Sequence, residues 1–131
     1  MHQSKILIAE DDPCLLQALA VRLEAAGYEV ICAADSYQAV DFARHQKPEL
    51  LILDIHMPAG NGFTILQRLK KVEGLDRLPV IFLTGDQSPR VQELAAQFNA
   101  DALIHKPFEF SHLLEAVQAA LAIEPIFQPR R

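Results

Sequence analysis

Cysteine is scarce, with two in 131 residues, and Cys14 and Cys32 form neither a close pair nor a metal-ligand spacing. A disulfide framework is excluded. Reduced thiols in a cytosolic setting fit instead, each read as a small buried hydrophobe. Long apolar runs are missing too: no window approaches the ~20 residues of a membrane span, and Met1 to Lys5 leads into a strand-length run rather than a signal segment. The expected compartment is the cytoplasm, with no membrane partner. Nor is there a basic stripe. Apart from Lys70-Lys71 and Arg130-Arg131 the basic residues are scattered, without interleaved aromatics, in a chain of formal net charge −5, which speaks against a nucleic-acid-binding surface. His56 and His105 have no zinc-like spacing with a cysteine and read as loop or edge residues. His2, His45 and His112 read as surface residues. Internal repeats and low-complexity tracts are absent.

What is present is an ordinary globular composition, half hydrophobic and 22% charged, sized for one domain with a substantial core. The chain alternates short apolar runs with amphipathic stretches. Lys5 to Ala9 predicts a strand. Asp12 followed by Pro13 predicts a helix start with a carboxylate cap and a proline in the first turn. Leu15, Leu16, Leu19 and Leu23 give that helix an apolar stripe to about Ala26, with Gly27 as its stop. Tyr28 to Ala33 predicts a second strand and Ser36 to His45 a second helix, with Ala39, Val40 and Ala43 inward. Leu50 to Leu53 is too short for a typical helix and lacks polar alternation, as in a strand buried on both faces.

A loop at Ala59 to Gly62 precedes a third helix marked by Ile65, Leu66 and Leu69, ending near Gly74. Val80 to Leu83 reads as the fourth strand, and Ser88-Pro89 repeats the cap-then-proline start for a helix carrying Val91, Leu94, Ala95 and Phe98. Ala102 to Ile104 is a fifth strand. A last helix runs to about Ala122 with Leu113, Leu114, Val117 and Leu121 inward. Five strands alternating with five helices predict a three-layer α/β domain on a parallel sheet, spanning residues 1–122. Residues 123–131, with Pro125 and Pro129, read as a tail or the start of a linker.

Polar residues cluster at one place in this plan. Glu10-Asp11, Asp54, Thr84 and Lys106 each lie at or just beyond the carboxyl end of a strand, the edge where open α/β sheets bind ligands. A strand-end carboxylate such as Asp54 is costly to bury without a cation or donors, although any one of these residues alone could merely cap a loop. Three carboxylates together call for a divalent cation, and an all-oxygen set favours a hard one, Mg²⁺ or Mn²⁺. An aspartate is an established nucleophile toward phosphorus. Phosphoryl transfer needs mainly positioning and charge neutralisation, which Lys106 and the Thr84 hydroxyl would complete.

With the acidic pair Glu10-Asp11, the run Asp54-x-x-Met57-Pro58, Thr84-Gly85 and Lys106-Pro107-Phe108 in this order, the chain resembles the receiver domain of a two-component response regulator from about Lys5 to Ala122. The resemblance implies a flavodoxin-like, chemotaxis-regulator-like fold of five parallel strands in the order 2-1-3-4-5 with five helices. It implies that Asp54 is the phosphoacceptor, that Glu10, Asp11, Asp54 and the backbone carbonyl of His56 hold the metal, and that Thr84 and Lys106 engage the phosphoryl group. The Lys106-Pro107 bond would be cis. Leu103 occupies the switch position in strand five, where the family has an aromatic. His56 and Asp86 occupy positions that tune the lifetime of the phosphoryl group.

The implied partners are a sensor histidine kinase or histidine phosphotransfer protein, and a downstream target or an output domain. A homodimer would form through the fourth helix, the fifth strand and the fifth helix. The implied chemistry is confined to the domain's own phosphorylation and dephosphorylation, so it is not an enzyme acting on other substrates. Two other readings compete. A small phosphatase passing through an aspartyl phosphate would be expected to carry an acid two residues after the nucleophile, where His56 stands. A receiver-like interaction module working without phosphorylation draws support from Leu103.

Overall fold

In the computed structural model, which describes residues 2–57 and 60–122, strands β1 (Lys5–Ala9), β2 (Glu29–Ala33), β3 (Leu50–Asp54), β4 (Val80–Thr84) and β5 (Ala102–His105) alternate with helices α1 (Pro13–Ala25), α2 (Ser36–Gln46), α3 (Gly62–Leu69), α4 (Pro89–Gln97) and α5 (Phe110–Ala122). The strands form one parallel sheet in the order β2-β1-β3-β4-β5. This is the flavodoxin-like arrangement that the resemblance implies.

Alternation along the strands divides the core in two. Leu7, Leu51, Leu53 and Phe82 face one way, onto Ala39 and Ala43 of α2, Ile65 and Leu69 of α3, and Val91 and Ala95 of α4. Ile6, Ile8, Ile52, Ile81 and Leu83 face the other, onto Leu19 and Leu23 of α1 and Leu113 and Val117 of α5. The central strands β3 and β4 are buried at every position, which explains runs with no polar alternation. Each fully buried Leu or Ile there contributes on the order of 1.5–3 kcal/mol.

Helix starts follow local chemistry. Asp12 accepts the amides of Cys14 and Leu15 at 3.0 and 3.4 Å, Asp35 that of Gln38 at 2.8 Å and Asn61 that of Thr64 at 2.9 Å. Ser88 stands at the start of α4 but its side chain does not cap the helix. Its amide is drawn back to Asp86 Oδ1 at 2.8 Å instead.

Other expectations are corrected by packing. The third helix stops at Leu69 rather than near Gly74, because Lys71 and Val72 donate to carbonyls three residues back, Arg68 and Leu69, and the chain tightens into turns. Cys14 and Cys32 are exposed, not buried: Cys14 sits in the first turn of α1, and Cys32 alternates with buried Ile31 and Ala33 on an edge strand. β5 extends one residue further than its apolar run, taking in His105. Met1, Pro58, Ala59 and the tail 123–131 lie outside the described residues, and with them the last residue of the Asp54-x-x-Met57-Pro58 run and the expected linker.

Candidate phosphoryl and metal site

The parallel order brings the ends of β1 and β3 side by side at the middle of the sheet, with β4 and β5 following. Ala9 is paired with Leu53, Asp54 with Leu83 and Thr84 with His105. The carboxyl edge therefore gathers Glu10, Asp11, Asp54, Thr84 and Lys106. Carboxylate oxygens of Glu10, Asp11 and Asp54 all lie within 4.8 Å of one another. Glu10 is 1% and Asp54 4% exposed, whereas Asp11 faces solvent.

One cation from the chain answers these three acids. Lys106 Nζ donates to Glu10 Oε1 at 2.8 Å and to Asp54 Oδ2 at 3.3 Å. Backbone amides add two donors, Asp12 N–H to Glu10 Oε2 at 3.1 Å and His56 N–H to Asp54 Oδ1 at 3.3 Å. This is too little for Glu10. Burial pushes its carboxyl up to about 7, against the opposing pull of Lys106 and the Asp12 amide, with the neighbouring Asp54 charge pushing the same way as burial. Lys106 is raised above its ordinary value. Burial alone would lower it, and the hydrogen bonds and charges of Glu10 and Asp54 outweigh burial.

Thr84 is fully buried, and its hydroxyl accepts the Asp86 amide at 2.9 Å, which leaves its own proton available to donate. Across the mouth of the site, His56 Nε2 lies 3.2 Å from Asp86 Oδ2. The Ser88 amide, and secondarily the His56 ring, hold the Asp86 carboxyl below the usual aspartate range. The resulting open cavity of about 460 Å³ is lined by Glu10, Asp11, Asp54, His56, Asp86 and Lys106, among others. The Lys106-Pro107 bond is cis. Leu103 packs half-buried against the α3 and α4 side of the core.

Two contributions of the backbone escape a reading by residue type. Asp12 caps α1 with its side chain while its amide serves Glu10. Gly62 opens α3 with its amide on the Ile55 carbonyl at 3.1 Å, and a Cβ there would stand 2.9 Å from the Asp54 carbonyl oxygen and 3.2 Å from the Phe82 ring. The Asn61-Gly62 pair read as a turn because its sequence signal is that of a turn. The close approach to Asp54 has no local signature.

Three carboxylates, two of them buried, with a single ammonium among them form a site short of positive charge. An all-oxygen set of this kind fits a hard divalent cation. Among the described residues this is the one cluster of acids, histidines or cysteines close enough to share an ion, and no helix among them is long and apolar enough to cross a membrane.

Residues 6–118 match the family model described as the response regulator receiver domain. The DNA-binding dual master transcriptional regulator RpaA of Synechocystis sp. is 35% identical over 119 residues, covering 89% of this chain and 48% of the relative. The probable transcriptional regulator ycf27 of Porphyridium aerugineum is 34% identical over 123 residues, covering 92% and 49%. The chain thus spans about half the length of the curated relatives it matches. Among solved structures, the chemotaxis protein CheY4 of Vibrio cholerae superposes with a TM-score of 0.86 at 28% identity, covering 91% of this chain and 99% of that one. The non-phosphorylated HemR receiver domain of Leptospira biflexa gives 0.86 at 29%, covering 98% and 100%. With its acids, hydroxyl and lysine assembled at one sheet edge and its family model matched over most of its length, this chain belongs to the response regulator receiver domains of two-component signalling.

Proposed function

We propose that Asp54 is the phosphoacceptor of this receiver, and that residues 1–122 form the switching unit. The observation that carries the reading is the contact of Lys106 with both Glu10 and Asp54, beside a third acid and a buried threonine hydroxyl. A carboxylate oxygen of Asp54 attacks phosphorus, an O–P bond forms, and the bond to the donor's leaving group breaks. The leaving group is the imidazole nitrogen of a phosphohistidine, or acetate when acetyl phosphate is the donor. Glu10, Asp11, Asp54 and the His56 carbonyl would hold Mg²⁺ or Mn²⁺, which when bound supplies the positive charge that the acids lack. Lys106 then turns from Asp54 to a phosphoryl oxygen, and the Thr84 hydroxyl donates to another. The chemistry is confined to the domain's own phosphorylation and dephosphorylation.

His56 and Asp86 span the approach to Asp54, where they would govern how readily water reaches the acyl phosphate and so its lifetime. Sensor histidine kinases or histidine phosphotransfer proteins are the donors in this reading. The altered surface is α4, β5 and α5, through which the domain would act on a target, an output domain or a second copy. The half-length match to two transcriptional regulators favours an output beyond this domain, with no direct nucleic-acid contact by the receiver itself.

The test is intact-protein mass after incubation with Mg²⁺ and acetyl phosphate. One added phosphoryl group, absent in Asp54→Ala and with EDTA, is the expected result. If neither acetyl phosphate nor a cognate kinase yields an adduct, the domain is a phosphorylation-independent interaction module, the alternative that Leu103 at the switch position favours.

A further inference from the structure

A groove of about 360 Å³ opens at the amino edge of the sheet, the edge opposite Asp54. Its floor is apolar. Leu66 of α3, Leu78 just before β4 and Phe98 just after α4 form it, and Ala120 in the last turn of α5 stands at one wall. Leu66 is buried, whereas Leu78 and Phe98 keep part of their surface uncovered. Phe98 is a firm wall: its ring stacks on Phe63 with centroids 5.3 Å apart, and Lys70 Nζ lies 5.5 Å from its centroid. Charge sits at the rim. The Asp76 carboxylate meets Arg77 Nε only at 4.0 Å, too far for a hydrogen bond, and is open to a closer cation.

The chain carries a segment of matching chemistry next to this groove. α5 ends at Ala122, two residues past the groove wall, and the sequence continues Ile123-Glu124-Pro125-Ile126-Phe127-Gln128-Pro129-Arg130-Arg131. An apolar pair stands between two prolines, with two arginines after it. Proline favours an extended backbone at the residue before it, and extended proline-flanked segments dock in aromatic-lined grooves at a low cost in chain entropy. Five residues beyond Ala122, Phe127 has a reach of roughly 16 Å, and attachment at the groove wall gives the segment a high effective concentration there. We propose that this amino-edge groove is the docking site of the chain's own segment 123–131: Ile126 and Phe127 seat against Leu66, Leu78 and Phe98, and Arg130 or Arg131 pairs with Asp76. Docking covers the apolar floor and sets the direction in which the chain leaves the domain. The inference goes beyond the phosphoacceptor reading of Asp54 and does not depend on it.

The test is NMR of the full chain, isotope-labelled, as wild type and as Phe127→Ser. The expected result is a set of ring contacts from Phe127 to Leu78 or Phe98 in the wild type. In Phe127→Ser those contacts are lost and the amides of Leu78, Asn99 and Asp101 shift, while the rest of the sheet is unmoved. Asp76→Asn should shift the side-chain signals of Arg130 or Arg131 and leave the Phe127 contacts in place. Changes confined to residues 122–131, with no contact from Phe127 to the groove, overturn the inference. A mixture of labelled and unlabelled protein, read by isotope-filtered spectra, separates one chain from two. Contacts that survive the filter assign the groove to a second copy's segment, and overturn docking within the chain. Should Phe127→Ser fold poorly, the wild-type contacts and the filtered spectrum decide the matter.

Discussion

At the amino edge of the sheet, Glu49 and Asp101 stand just before β3 and β5, and each carboxylate is spent on the backbone of a neighbouring strand. Asp101 Oδ2 accepts the Val80 amide at 2.8 Å. Glu49 accepts the Lys5 amide at 3.0 Å and the His2 ring at 2.9 and 3.0 Å, and these partners, against a burial penalty, hold it below the usual glutamate range. At the carboxyl edge Glu10 and Asp54 are more deeply buried, face each other, and share Lys106. Glu10 is pushed upward. The same residue types at opposite strand ends thus stabilise the fold in one place and burden it in the other, and the edge left short of donors is the edge with chemistry to perform.

The sharpest way to break this contrast is at Asp54. Asp54→Asn is expected to lose phosphoryl incorporation entirely, read by intact mass, while the urea midpoint in EDTA at pH 8 stays level or rises, because a negative charge beside Glu10 is gone. A midpoint that falls instead would make Asp54 a structural acid like Asp101.

The next effect is on the order of 3 kcal/mol and concerns pH. Folding raises the Glu10 carboxyl from 4.5 to about 7, so between these values the folded state holds a proton that the unfolded state has released. Stability is then greatest below about 4.5 and declines as pH rises through about 7. Urea unfolding in EDTA at pH 5 and pH 8 should show that decline, and Glu10→Gln should abolish this component. Mg²⁺ should restore stability at pH 8, by about 2.7 kcal/mol at a hundredfold excess over its dissociation constant. A profile unchanged by Glu10→Gln would remove Glu10 as its source.

This contrast also marks what could be read without coordinates. Strand and helix order were legible because hydrophobic runs and stripes report burial directly, and the strand-end positions of Glu10, Asp54, Thr84 and Lys106 followed from that order. Which strand lies beside which is implied by the family resemblance and is not legible in periodicity. The exposure of Cys14 and Cys32 is not legible in the sequence, because burial of a small residue depends on whether its strand or helix face is covered, a tertiary property. The end of α3 at Leu69 is hidden in the sequence because Gly74, at φ +89, belongs to a later turn and not to a helix stop. The Ser88 cap fails because Asp86 competes for it, and Gly62 gains its meaning only from neighbours distant in sequence.

At the amino edge the larger expected loss is at Asp101. Asp101→Ala leaves the Val80 amide, at the start of a fully buried strand, without its side-chain acceptor, and should lower stability by about 1–3 kcal/mol. Phosphoryl incorporation at Asp54 should be unaffected while the domain is folded. Urea unfolding beside the mass assay separates the two. A variant that is stable yet cannot be labelled would tie the two edges together.

The smallest effect is at His2. Its ring meets Glu49, but the two side chains are 71% and 40% exposed, and pairs this wet contribute between nothing and about 1 kcal/mol. Glu49 also keeps the Lys5 amide when the ring is removed. His2→Ala should therefore shift the urea midpoint at pH 6 barely, and less at higher salt, where screening weakens what attraction there is. A loss comparable with that of Asp101→Ala would mean that the amino edge draws its stability from the ion pair rather than from carboxylate-to-amide bonds, and would move the contrast between the edges from hydrogen bonding to charge.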